Sequence, residues 1–144
     1  MGSLLGFIFG MLTLFVPSLF WPKEIPRLPS QLFFNQYPDK KWLYYIHFGL
    51  PFFWIILYLI VISPVLWRIG DDTLYLLSFM LGGGLAVGHG IIEIISHVSM
   101  RNFSRGGQAI YVSDVSIRRF GLIRIGFVLL LGLVPLAIFT YPPT

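Results

Sequence analysis

The sequence predicts an all-α membrane protein, a single domain built as a bundle of four transmembrane helices. Of its 144 residues, 56% are hydrophobic and 11% are charged, whereas soluble proteins have about 25% charged residues. Four apolar stretches are long enough, or nearly so, to cross about 30 Å of hydrocarbon at about 1.5 Å of helix per residue. We expect helices at about residues 4–21, 42–67, 73–98 and 120–141, which leaves no room for a separate soluble domain.

The first apolar stretch, 4–21, is expected to be a retained helix and not a signal peptide. No basic residue precedes it, and the string Phe20-Trp21-Pro22-Lys23 follows it in place of a cleavage site with small residues. Cysteine is absent from the chain, which excludes disulfides, thiolate metal ligands and thiol nucleophiles. Any chemistry must therefore come from other side chains.

The basic residues are sorted by loop. Residues 22–41, between the first two helices, and residues 99–119, between the last two, hold four lysines or arginines each. The turn between the second and third helices has only Arg68, beside Asp71 and Asp72. Because basic loops stay on the cytoplasmic side, we predict both long loops inside and both termini on the non-cytoplasmic side. The net charge of +4 then reflects topology and does not indicate nucleic-acid binding.

The two basic loops contain few signals for regular structure. The first has four prolines, and between the last two the string SQLFFNQY favours a short helix in the headgroup region, with Ser30 as its N-cap. In the second loop, Gly106 and Gly107 are expected to break any continuation of the third helix. Residues 109–112 are too few to establish a strand.

Three ionisable residues recur every four positions in the third helix, which places His89, Glu93 and His97 on one face. Such groups are costly within a membrane span, so they need partners, water or a function. Small residues four apart, which let helix backbones approach closely, share this region. We therefore predict helix packing at Gly6, Gly10, Gly82, Gly84, Ala86, Gly88 and Gly90. We also predict a buried polar site for protons or a metal at His89, Glu93, His97 and His47.

The chemistry of this polar site has several alternatives. His89 and His97 are about 12 Å apart along the helix, so the stripe of His89, Glu93 and His97 cannot bind one ion with all three side chains. His47 and His97 are predicted near the same interface and could bind a haem axially. His47 could instead join Glu93 and His97 in a zinc site. A proton relay along the stripe is the third alternative, since imidazole and a buried carboxyl exchange protons through water.

No complete catalytic set is evident, and we predict no catalytic residue and no enzymatic activity of the chain's own. The sequence has neither the Gly-x-Ser-x-Gly elbow of hydrolases nor a glycine-rich loop followed by lysine that binds phosphate. Three arginines lie at the inner end of the fourth helix. We expect Arg118, Arg119 and Arg124 to contact anionic lipid headgroups.

The string His89-Gly90-Ile91-Ile92-Glu93 resembles the His-Gly-x-x-Glu signature of the stage II sporulation protein M-like membrane family. The resemblance implies an integral membrane protein that works with partners. Together with the composition, it leads us to predict a non-catalytic accessory or structural subunit of a larger membrane complex, in contact with the bilayer and with other subunits. The alternative is a transport or redox subunit that handles protons, a metal or haem through the His89/Glu93/His97 stripe.

Overall fold

A computed structural model of the protein describes residues 2–20, 26–68, 73–101 and 109–140. Most of these residues are helical, which confirms the all-α class in its coarse form. The α-helices are α1 (Gly2–Phe15), α2 (Ser30–Gln36), α3 (Trp42–Leu57), α4 (Ser63–Trp67), α5 (Thr73–Ser96) and α6 (Ile117–Thr140). A π-helical turn, Tyr58–Ile62, joins α3 to α4, and short 3₁₀ turns cover Pro17–Phe20 and Pro38–Lys40. The strands are β1 (Leu28–Pro29), β2 (Val98–Arg101) and β3 (Ile110–Ser113).

The ends of the long helices differ from the predicted ones where local chemistry intervenes. The first helix ends at Phe15 and gives way to a 3₁₀ turn that starts at Pro17. The second contains a π-helical turn just before Pro64, whose ring nitrogen has no hydrogen to donate to the carbonyl of Ile60. The fourth begins at Ile117, three residues earlier than expected.

Two helical segments in the described ranges, Pro38–Trp67 and Leu74–Ser96, are long and apolar enough to cross a membrane. Helix α1 is also apolar but shorter. The result agrees with the predicted membrane location in its coarse form. Membrane crossing by all four long helices stays a prediction.

Helix α5 lies at the centre of the bundle and runs parallel to α1. A side chain added at Gly6 would meet the backbone of Tyr75, and one added at Gly10 would lie 2.6 Å from the Phe79 carbonyl oxygen. The contacts advance in the same direction along both helices. Backbones that approach so closely leave space for nothing larger than glycine.

Helices α3 and α6 both run antiparallel to α5. On α3, the Trp54 indole donates to the Leu81 carbonyl at 3.1 Å, and the Tyr58 hydroxyl donates to the Leu77 carbonyl at 2.9 Å. On the α6 side, the Tyr75 hydroxyl donates to the Leu131 carbonyl at 2.6 Å. Successive long helices therefore alternate in direction, so the connections after α1 and after α5 lie at the same end of the bundle.

At that end, three short strands form a small antiparallel sheet in the order β1-β3-β2. In the central strand, Tyr111 pairs with Leu28 on one side and with Met100 on the other. Residues 109–112, too short to establish a strand by themselves, therefore lie mostly within β3. Gly106 and Gly107 lie outside the described residues.

Helix α2 packs on this sheet, and its predicted cap is wrong. Pro29, with φ of −56°, is the N-cap residue and provides no side-chain hydrogen bond, whereas Ser30 is already the first helical residue. The Ser30 amide donates to the Ala109 carbonyl at 3.0 Å, so the sheet fixes the start of the helix. Phe33 and Phe34 of α2 are buried in a cluster with Leu43, Val98 and Tyr111.

Candidate functional site

The carboxylate of Glu93 forms a buried ion pair with Arg124. The guanidinium donates from Nε to Oε2 at 3.1 Å and from Nη2 to Oε1 at 3.1 Å. Glu93 is 2% exposed and Arg124 is 5% exposed, so water hardly reaches the pair. Two parallel hydrogen bonds of this kind fix the relative orientation of both groups as well as neutralising the charges.

Further hydrogen bonds extend this pair to two other elements. The Ser99 hydroxyl in β2 donates to Glu93 Oε1 at 2.7 Å. Arg124 Nη1 donates to the carbonyl of Leu14 in α1 at 3.3 Å. The carboxylate thus accepts three hydrogen bonds, and the guanidinium reaches a carbonyl at the end of a helix. We call Glu93, Arg124, Ser99 and the Leu14 carbonyl the polar clamp, because they join α1, α5, α6 and β2.

Close contact between α5 and α6 accompanies the clamp. A side chain on Gly121 would lie 2.6 Å from the Gly90 carbonyl oxygen and 3.0 Å from Cβ of Glu93. A side chain on Gly90 would lie 2.8 Å from Cγ1 of Ile125. Glycine at both positions therefore brings the two backbones close enough for Glu93 and Arg124 to meet. The sequence reasoning included Gly90 but missed Gly121.

The other small residues predicted for helix packing lie at two different interfaces. Side chains added at Gly6, Gly10 and Gly82 would overlap backbone atoms across the α1–α5 contact. Side chains at Gly84 and Gly88 would instead meet the Trp54 ring and the Leu50 side chain of α3. Ala86 is fully buried, in a cluster with Tyr75, Phe79 and Val128.

His47 on α3 and His89 on α5 stack on each other. Their ring centroids are 5.7 Å apart and their planes differ by 18°. On its other side, His47 lies 5.7 Å from the ring of Tyr111, measured between centroids. Nδ1 of His47 is buried and makes no hydrogen bond of normal geometry with any residue in the described ranges. We call His47 and His89 the histidine pair.

Tyr111 closes this row of rings at the sheet. Its side chain is fully buried and its hydroxyl has no hydrogen-bond partner among the residues that the structure describes. Burial, with a smaller contribution from Tyr44, raises the pKa of Tyr111 to about 12. The phenol is therefore neutral at physiological pH and packs as an aromatic ring, stacked on Phe33 at 5.1 Å between centroids.

His97 does not continue the stripe of His89 and Glu93, which corrects the prediction of a helix through residue 98. Helix α5 ends at Ser96, and His97 has a φ of 55°, in the left-handed region. The Ser96 hydroxyl donates to the Ile92 carbonyl at 2.6 Å and accepts from the Val98 amide at 3.2 Å. These side-chain bonds end the helix and direct the chain into β2.

The metal sites predicted from the stripe are consequently not assembled. Glu93 is held by Arg124, and it is His89 that stacks on His47, where the haem hypothesis required His97. No group of three or more His, Asp or Glu side chains in the described ranges is placed to hold a metal ion. The zinc set of His47, Glu93 and His97 is therefore not formed.

The predicted lipid contact of Arg124 is also wrong. Arg118 and Arg119 are exposed at the start of α6, as headgroup contact requires, but Arg124 is buried in the polar clamp. Arg124 follows Arg119 by about one and a half helical turns and so faces α5. The sequence held a signal for this, because Glu93 and Arg124 are the charged residues inside otherwise apolar stretches of their helices.

Comparison with other proteins identifies no relative for the chain. No family model, no curated protein and no solved structure matches it. The resemblance of residues 89–93 to the stage II sporulation protein M-like family therefore stays a prediction.

Proposed function

We propose that this chain is an integral membrane protein of four spans that acts as a non-catalytic, structural subunit of a larger membrane complex. Large apolar side chains exposed along α1, α3 and α6 support insertion in a bilayer. The alternating helix directions support an arrangement with both basic loops on the cytoplasmic side and both termini opposite.

The buried ion pair of Glu93 supports a structural and not a catalytic role for the polar clamp. Each oxygen of Glu93 already accepts a hydrogen bond from Arg124, and Oε1 accepts another from Ser99. A general base or proton carrier needs contact with water or substrate, whereas Glu93 is 2% exposed and its charge is paired with Arg124. An ion pair that joins three helices instead fixes their relative positions.

The exposed side of α3 and of the π-helical turn after it is the observation that most favours a partner subunit. Only 11% of the most apolar stretch of Pro38–Trp67 is buried within the chain, against 33% for Leu74–Ser96. One side of this segment carries the exposed residues Phe53, Ile56 and Ile60. We propose that these three, here called the α3 stripe, contact an apolar helix of another subunit.

Extraction of the full chain in lipid nanodiscs, followed by native mass spectrometry, tests this proposal. We expect a second protein chain to accompany the 16.4 kDa subunit. The variant with Phe53, Ile56 and Ile60 changed to Ala should lose that chain. The matched control changes Leu122, Leu129 and Leu133, exposed on α6, to Ala and should retain it.

Three results would contradict the proposal. If only the 16.4 kDa chain and lipid are recovered, the protein does not act as a subunit. If the α6 control loses the partner as completely as the α3 variant does, the partner does not recognise the α3 stripe. Recovery of the chain in the soluble fraction of cells would contradict its membrane insertion.

The histidine pair supports the second candidate, a subunit that handles a metal or haem. Two neighbouring imidazoles with centroids 5.7 Å apart, one with a buried nitrogen that makes no hydrogen bond of normal geometry within the described ranges, are the arrangement that favours it. The test is an absorption spectrum and a metal analysis of the purified protein. A chromophore or metal lost in His47→Ala and His89→Ala, but kept in His97→Ala, would support this candidate, and its absence from the parent protein would reject it.

A further inference from the structure

A groove lies between α2 and the beginning of α3, on the same end of the bundle as the small sheet. Its volume is about 540 Å³, within the range of about 300–1,000 Å³ that is usual for small-molecule sites. Gln31 and Asn35 of α2 line one side, and Lys41, Tyr44 and Tyr45 line the other. We call it the α2–α3 groove.

The charge of the groove favours an anionic ligand. Among the described residues that line it, Lys41 is the charged one and none carries a carboxylate. The Lys41 ammonium makes no ion pair or hydrogen bond with the residues that the structure describes. The amides of Gln31 and Asn35 add neutral donors beside this cation. A lysine and two amides are groups that commonly bind phosphate oxygens.

The neighbouring Lys40 is oriented differently. Its ammonium donates to the Ser113 hydroxyl at 3.3 Å and lies 5.2 Å from the centroid of the Tyr37 ring. Lys40 therefore faces the sheet, whereas Lys41 lines the groove. The two adjacent lysines carry the same charge at nearly the same place, so they provide a matched pair for experiments.

An apolar path leads out of the groove along α3. The ring of Tyr44 stacks on Phe48 with centroids 6.4 Å apart, and Phe48 lies 5.9 Å from Phe52. Phe48 and Phe52 are both exposed, so this file of rings continues from the groove along the surface of an apolar helix. Tyrosines commonly lie at the headgroup level of a bilayer, where Tyr44 and Tyr45 would be in this orientation.

The geometry points to a binding site for an anionic phospholipid, with the phosphate at Lys41 in the α2–α3 groove and an acyl chain along Tyr44, Phe48 and Phe52. A polar groove, whose lysine has no ion-pair or hydrogen-bond partner in the described part of the chain, lies at one end of a file of exposed rings. These two features match the two chemically different parts of such a lipid. The inference rests on the proposed membrane insertion of the chain.

Spin-labelled lipids test this site in the full chain, reconstituted in phosphatidylcholine vesicles. The motionally restricted fraction of labelled phosphatidic acid, compared with that of labelled phosphatidylcholine, gives the selectivity. We expect the parent protein to prefer phosphatidic acid, and Lys41→Gln to reduce this preference about fivefold, the contribution of one cation at a membrane surface. Lys40→Gln should keep the parent preference.

Several results would overturn the lipid site. Equal loss in Lys40→Gln and Lys41→Gln would show a diffuse field of charge in place of a groove. Displacement of the labelled lipid by inorganic phosphate would show a site for the free anion. If Lys41→Gln keeps the helix content of the parent and also its preference for phosphatidic acid, the lipid site is rejected. Failure of the chain to insert in vesicles would contradict the proposed membrane function, whereas insertion without selectivity would contradict the lipid site only.

Discussion

Arg124 and Glu93 meet through two hydrogen bonds of 3.1 Å each, in a part of the bundle where both side chains are almost completely buried. Separating charges at such depth is costly, because removing either partner leaves the other charge buried and unpaired. Because Arg124 also bonds to the Leu14 carbonyl and Glu93 to Ser99, the pair connects elements from both ends of the sequence.

We predict that removing one charge of this pair costs much more than removing both. Arg124→Leu leaves the Glu93 carboxylate buried and unpaired and should lower the free energy of unfolding by about 3–5 kcal/mol. Adding Glu93→Gln should recover about half of this loss or more, since no buried charge is then left unpaired. Unfolding in mixed micelles with increasing denaturing detergent measures both values.

The control for this cycle is Arg118→Leu, which removes an exposed arginine from the same helix. Its effect should be within about 0.5 kcal/mol, as for most surface changes. If the double variant is no more stable than Arg124→Leu, the loss of stability comes from lost packing and not from a buried charge without a partner.

A second prediction concerns the close contact of α1 with α5. A methyl group on Gly82 would overlap the backbone of Gly10, so Gly82→Ala should lower the free energy of unfolding by about 1–3 kcal/mol. Gly126 lies in α6, where an added methyl group would meet no described atom within 4 Å. Gly126→Ala should therefore be neutral or stabilising by up to about 1 kcal/mol. Thermal unfolding in detergent compares the two. Equal unfolding midpoints of Gly82→Ala and Gly126→Ala would contradict the tight α1–α5 contact.

The composition was sufficient to predict the long helices, because long apolar stretches separated by charged and proline-rich loops have few other solutions. It was not sufficient to predict the helix ends. His97 leaves the helix because the Ser96 hydroxyl bonds to backbone groups on both sides of it. Such competition depends on the conformation of a single side chain, which spacing alone does not reveal.

The sheet and the polar clamp depend on contacts between distant segments. The strand at Ile110–Ser113 exists because it pairs with both Leu28–Pro29 and Val98–Arg101, and none of these three segments is long enough alone. Arg124 was grouped with Arg118 and Arg119 by its position near a basic loop. Its partner, Glu93, lies 31 residues earlier, so only the antiparallel packing of α5 and α6 identifies the pair.

A third prediction concerns the effect of low pH on the turn that precedes α6. The Ser116 amide donates to Asp114 Oδ2 at 3.0 Å, and the Ser116 hydroxyl donates to the same oxygen. These bonds lower the pKa of Asp114 below its ordinary value of 3.8. Because the pKa is lowered in the folded chain, the Asp114 carboxylate stabilises this turn at pH values above 3.8. This stabilisation is lost as pH falls through the lowered pKa.

Hydrogen exchange at the Ser116 amide measures this effect. After correction for the intrinsic rate, protection should be constant above pH about 4 and decrease at lower pH. Ser116→Ala removes the hydroxyl donor, so the pKa of Asp114, followed by the NMR shift of its carboxyl carbon, should move back towards 3.8. An unchanged pKa in this variant would show that the hydroxyl does not hold the carboxylate.

The fourth prediction concerns the hydroxyl of Tyr111. Because this buried group has no partner among the described residues, Tyr111→Phe should be as stable as the parent, or more stable by about 1 kcal/mol. Tyr111→Ala removes the ring that packs on Phe33 and Phe34 and should cost about 3–5 kcal/mol. The control is Tyr45→Ala, whose side chain is 74% exposed and should matter little to folding.

Alkaline titration provides an independent measurement at Tyr111. Its pKa is raised from 10.0 to about 12, so the neutral phenol stabilises the fold below pH 10 and this contribution is lost as pH rises towards 12. The ultraviolet difference spectrum between the parent and Tyr111→Phe isolates this group from the other tyrosines among the seven in the chain. Ionisation near pH 10, or a loss of stability in Tyr111→Phe as large as in Tyr111→Ala, would show that the hydroxyl is solvated or has a partner outside the described residues.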